Sequence, residues 1–171
     1  SNAHVKPESF LFWYLNRTYV RPELKKVVEE VAVQMQDQYP GAVIYYLDAC
    51  FPFFDGFPLL PHLSHRDGKK IDLVFFWNDQ KTGKSVQGTP SPYGYGVCAK
   101  AGQGEYSYIK ECLGQGYWYF SPDNRFGELF YDPARYTFDE EKNREMVIRF
   151  ARHPDVGKIF IEPHLKTRLS L

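Results

Sequence analysis

His65 and Asp72 stand seven positions apart in the run Leu60-Pro61-His62-Leu63-Ser64-His65-Arg66-Asp67-Gly68-Lys69-Lys70-Ile71-Asp72, with Gly68 between them. An imidazole and a carboxylate are both zinc donors, and each must reach to about 2.0–2.2 Å of the ion. On an unbroken strand, residues seven apart face opposite sides of a sheet and lie ~23 Å apart. The chain must therefore fold back between them if they are to share an ion. Gly68 is suited to the positive φ of such a turn, and Asp67 before it suits the same bend. A helix would also set these positions on one face. Against a helix stand Gly68 and the β-branched and aromatic residues that follow Lys70. The expectation is a loop that delivers His65 and a buried strand, Leu73 to Trp77, that opens near Asp72.

Ser64-x-x-x-Gly68 with His65 and Asp72 resembles the His-x6-Asp motif of the lysostaphin, D-Ala-D-Ala metallopeptidase and hedgehog (LAS) superfamily of zinc peptidases. With His62 three residues earlier, the run is most similar to the penicillin-insensitive murein endopeptidase branch, where His-x-x-His-x6-Asp is usual. The resemblance implies an α+β fold of the hedgehog/DD-peptidase type, with a small, mostly antiparallel sheet and flanking helices. It also implies Zn2+ as cofactor, peptidoglycan or muropeptides as substrate, and a periplasmic or cell-envelope location. Lys70 departs from the pattern, since the superfamily usually has a small residue there.

A second block, Val156 to Lys166, is similar to the strand that precedes the superfamily's closing motif. That motif is His-x-His, and none occurs in these 171 residues. Two readings stay open. In one, His164 is the third zinc ligand and Glu162 the general base. In the other, the closing motif lies beyond Leu171, and Glu162 and His164 are merely nearby. Either way Lys158 to Ile161 reads as a short strand, with a stop at Pro163.

The chemistry implied asks for these residue types. Zinc with three protein ligands and an open position acidifies a bound water and polarises a carbonyl. A neighbouring Glu or His passes the proton to the leaving amine. His62, if not a ligand, orients water or a ligand. Arg66 offers paired donors to a substrate carboxylate or an oxyanion. The competing function is a catalytically inactive module on the same scaffold, binding cell-envelope peptide or glycan. His153 sits where a helix should end and favours the dipole there, and His4 lies in a tail.

Composition sets the outer bounds. The chain is 43% hydrophobic and 25% charged, as a globular protein should be. Its length suits one core rather than two. Ser1-Asn2-Ala3 reads as the remnant of a removed tag, leaving 4–171 as a single metallopeptidase-like domain. Basic and acidic residues balance at 21 each and form no basic stripe, which argues against nucleic acid. The longest apolar runs, Phe10 to Leu15 and Leu73 to Trp77, fall far short of the ~20 residues a membrane span needs. Cys50, Cys98 and Cys112 lack Cys-x-x-Cys spacing, and the last two are placed to pair across a hairpin in an exported protein.

The remaining pattern places the supporting elements. Pro22 opens a helix with Leu24, Val27, Val28, Val31 and Met35 inward, ending at Tyr39-Pro40-Gly41. Ala42 to Leu47 reads as a strand, followed by a Phe-, Pro- and Gly-rich loop that leads into the motif. Asn78 to Lys84 reads as a hairpin turn. Gly83-Lys84-Ser85 is not a phosphate loop, because Asn78 stands where the first Gly belongs. Gly88 to Gly116 reads as an insertion or irregular strands, and Tyr117 to Phe120 as a strand. Thr137-x-x-Glu140 reads as a capping box for a helix to about Arg152, with Met146, Val147 and Phe150 inward. Aromatic residues make up 18% of the chain, and Trp118, Tyr93 and Tyr95 are the first choices for a wall that stacks on sugars.

Overall fold

The computed structural model of the chain describes residues 3–60, 63–91, 94, 97, 99–117 and 132–171. His62, Tyr93, Tyr95, Cys98, Trp118 and the expected strand at Tyr117 to Phe120 lie wholly or mostly outside them. The architecture is mixed α/β, with five helices among the described residues and small, mostly antiparallel sheets.

The longest helix forms where the apolar spacing and Pro22 require it. Counting helices and strands in chain order, it is α2 (Pro22–Gln38), with Pro22 in its first turn. It buries Val27, Val28, Val31, Ala32 and Met35. These pack on Met146 and Phe150 of α4 (Glu140–Arg152) and on Ala42, Ile44 and Phe76. The Val, Ile, Met and Phe side chains among them each contribute about 1.5–3 kcal/mol by leaving water.

The cap of α4 differs from the sequence expectation. Thr137 belongs to strand β5 (Tyr136–Phe138), and Asp139 is the cap, accepting from Lys142 N at 3.1 Å. Aspartate is at least as good a cap as threonine. Asn143 on α4 is fully buried. Its amide accepts from Phe76 N at 2.7 Å and donates to Phe76 O at 2.9 Å, pairing that backbone as a neighbouring strand would.

Strand β1 (Val5–Pro7) runs parallel to β2 (Ile44–Tyr46), with Val5 opposite Ile44. His4 is therefore no tail residue, and its carbonyl accepts from Ile44 N at 2.9 Å. On the other side of β2 the chain from Asp72 to Val74 runs antiparallel. Its bonds are Asp72 N to Asp48 O, Leu47 N to Asp72 O and Val74 N to Tyr45 O, at 2.8, 2.8 and 2.9 Å. The expected Leu73 to Trp77 strand is thus divided. Its first part lies beside β2, and Trp77 begins β3 (Trp77–Asp79), which pairs with β4 (Lys84–Ser85) across the anticipated turn and with β5.

Three further expectations need correction. Residues 88–116 contain α3 (Tyr108–Gly114), with Ser107 accepting from Lys110 N as its cap. Cys112 lies on that helix rather than in a hairpin, and Cys98, its expected partner, lies outside the described residues. Residues 158–161 are outside any strand, and Pro163 opens a helix, α5 (Pro163–Arg168), rather than closing a strand. His153 does cap α4, and its ring also meets Glu30 Oε2 at 3.0 Å.

Candidate metal centre

The fold-back between His65 and Asp72 is built as the spacing requires. Gly68 adopts φ +71°, and a Cβ there would come within 2.8 Å of Arg21 Cγ and 3.3 Å of Arg21 N. Asp67 turns the chain by accepting from Lys69 N at 3.0 Å. The loop is then fastened to the segment ahead of α2. Arg21 N donates to Gly68 O at 2.8 Å, Arg21 Nε to Asp67 O at 2.7 Å, and Gly68 N donates to the buried Cys50 sulfur at 3.2 Å.

This brings the two side chains together. His65 Nε2 lies 3.2 Å from Asp72 Oδ1, while Nδ1 lies 3.0 Å from the carbonyl of Ala49. The ring is 5% exposed, and the Asp72 side chain is 33% exposed. A neutral imidazole carries one N–H, so it cannot donate to both acceptors. The arrangement is satisfied in two ways. A second proton makes the ring an imidazolium, or a cation sits between Nε2 and the carboxylate. Donors about 2.0–2.1 Å from a tetrahedral ion stand about 3.3 Å apart, close to the separation seen. Nδ1–H held by a backbone carbonyl is also how metal-bound histidines are commonly oriented.

Burial works against a charged His65. The Asp72 hydrogen bond and charge, the Ala49 carbonyl and the charge of Asp48 outweigh it, so the pKa is raised above the usual histidine value. The surroundings of the ring therefore hold its proton more firmly than water does.

The pair opens on a trough of about 640 Å³, lined among others by Leu73, Phe75, Phe150 and Ile161 with Lys70 and Lys158. Ser64 and Lys69 also border it. Arg66 does not fit the role expected of it. It is exposed, absent from the trough wall, and its carbonyl accepts from Gly56 N at 2.6 Å.

The second block reaches the same trough, through Val156 and Lys158 to Ile161, but its last residues turn away. His164 is buried on α5, with Nε2 2.7 Å from Ala99 O. Glu162 precedes the helix, where its carbonyl accepts from Lys166 N at 3.0 Å. Among the described residues no group of three or more His, Cys, Asp or Glu side chains is placed to hold a metal ion, so His164 and Glu162 do not complete a centre with His65 and Asp72. Six residues of helix starting at Pro163 account for this, because they rotate His164 toward the 99–105 loop. That loop is held to α5 by Arg168, whose Nε donates to Glu105 Oε1 at 3.0 Å and whose Nη2 donates to Lys100 O at 2.9 Å.

Sequence reasoning missed the groups behind the pair. The Ala49 carbonyl carries no side-chain signature, and Asp48 is a charge 1% exposed at the end of a strand. A lone Asp between Leu47 and Ala49 in an apolar run was the available hint. No described helix is long and apolar enough to cross a membrane. Comparison with protein-family models, with curated proteins and with solved structures finds no match.

Proposed function

We propose that the chain is a zinc-dependent peptidase of the LAS type, acting on peptidoglycan stem or cross-link peptides in the cell envelope. His65 and Asp72 are two of its metal ligands, on a scaffold of the hedgehog/DD-peptidase kind. The observation that carries the reading is the single imidazole set between two acceptors, which leaves room for a positive charge at Nε2. Its backbone-bound Nδ1 makes that nitrogen the one offered to a metal.

When bound, zinc supplies an acidified water and a Lewis acid for the scissile carbonyl. The chain's own residues do the rest. His65 and Asp72 hold the ion at the wall of the trough. The apolar floor from Leu73 and Phe75 to Phe150 packs the aliphatic parts of a peptide, and Lys70 and Lys158 meet its carboxylates. His62, three residues before His65 in the sequence, is a further candidate ligand or water-orienting group.

The test has two parts. Protein purified without added zinc is assayed for bound metal, and purified peptidoglycan is digested with His65→Ala as control. One zinc per chain, with muropeptides released only by the unsubstituted protein, is the expected result. Metal bound without release would instead assign a binding module on the same scaffold. Failure to retain any divalent ion against a weak chelator would overturn the proposal.

A further inference from the structure

We propose that Arg17 is a positioning residue for the His65–Asp72 pair, acting through Asp48 and Ala49. His65 Nδ1 meets the carbonyl of Ala49 and Asp72 N donates to the carbonyl of Asp48, at 3.0 and 2.8 Å. Both carbonyls belong to adjacent residues past β2. Whatever fixes residues 48 and 49 therefore fixes both members of the pair.

Arg17 grips these two residues from two directions. Its carbonyl accepts from Ala49 N at 2.9 Å. Its Nε donates to Asp48 Oδ1, a carboxylate that is 1% exposed. Its Nη1 donates to Leu60 O at 3.0 Å, so the same guanidinium also holds the start of the loop that carries His65. Next to it, Tyr19 and Cys50 exchange both backbone bonds, at 3.0 and 2.8 Å. Arg17 itself is anchored at the end of α1 (Phe10–Tyr14), where its N–H donates to Phe12 O at 2.8 Å. A planar fork with donors on several edges can make these contacts together, which a lysine ammonium on its flexible stem cannot reproduce.

The consequence for metal affinity rests on the zinc reading, whereas the consequence for the ring does not. In metal-free protein the His65 ring meets Ala49 O through Nδ1 at 3.0 Å. Its Nδ1–H, bonded to Ala49 O and buried, should appear as a downfield proton resonance that exchanges slowly with water. Arg17→Met should lose that resonance and weaken zinc binding about 10–100-fold in a chelator competition, the range for groups that orient a ligand. Arg17→Met with Asp48→Asn also removes the buried carboxylate that the guanidinium meets. It should regain the melting temperature but neither the resonance nor the affinity, which separates positioning from plain stability. Arg17→Lys keeps the charge and serves if the methionine variant does not fold, with the same two losses expected.

A folded Arg17→Met or Arg17→Lys protein with an unchanged His65 resonance would overturn the proposal, whatever the metal data show. If the unsubstituted protein takes no zinc while the resonance still depends on Arg17, the zinc reading fails and the positioning role stands.

Discussion

Two regions gather titratable side chains, and they are assembled in opposite ways. Around His65 the chain brings an imidazole and a carboxylate together at the wall of a trough, 3.2 Å apart. Around His164 the ring nitrogen is committed to a backbone carbonyl, and the neighbouring charges, Arg168 and Glu105, are committed to each other. A buried histidine is thus not informative by itself. What distinguishes the two rings is the partner: a carboxylate beside a trough for His65, a backbone carbonyl for His164.

The strongest way to break the comparison is to delete each ring in turn. His65→Ala should lower zinc affinity by more than about 100-fold, since groups one step behind a ligand are already worth about 10–100-fold. His164→Leu should leave affinity within about 3-fold. Chelator competition measures both, and equal losses would mean that α5 rearranges to bring His164 to the metal.

Next in size are the backbone and the buried amide. Gly68→Ala puts a side chain at positive φ and against Arg21, so it should destabilise the fold by about 1–3 kcal/mol in urea unfolding. Asn143→Ala leaves the N–H of Phe76 without its buried acceptor, while Phe76 O keeps the bond from Asp139 N, and should cost about 1–3 kcal/mol. The two differ in what else they change. Gly68→Ala alone should also weaken zinc binding, because the turn it strains sets the distance between the ligands. His164→Leu should cost about 1–2 kcal/mol of stability for its one bond to Ala99 O.

This contrast also explains what could be read from residues alone. The turn at Gly68, the meeting of His65 with Asp72, the inward faces of α2 and α4 and the turn before Lys84 all follow from local rules: a φ preference, a helical period, a hairpin's length. The fate of Glu162 and His164 did not follow, because Pro163 is equally good at ending a strand and at opening a helix. Only the bonds from α5 to the 99–105 loop, more than sixty residues earlier, decide between them. The division of the Leu73 to Trp77 run had the same cause, since its pairing partners, β2 and β5, lie far away on either side in sequence.

The smallest effects sharpen the comparison, because the two regions should respond to pH with opposite sign. His65 has a raised pKa when folded, so in metal-free protein its contribution is complete below the unfolded value of about 6.5 and fades as pH rises through the folded one. Glu105 is held down to about 2, chiefly by the Arg168 hydrogen bond. Its contribution is present above the unfolded value and is lost as pH falls from about 4.5 toward 2. Amide exchange measured residue by residue in chelator-treated protein should then show the 65–72 loop loosening on the alkaline side and the 99–105 loop loosening on the acid side. Zinc should reverse the first trend and leave the second alone. The ion replaces the second ring proton, and metal binding to a histidine strengthens as pH rises. If zinc fails to protect the 65–72 loop at alkaline pH, the charge that the His65–Asp72 pocket prefers is a proton, and the pair is an ion pair rather than half of a metal centre.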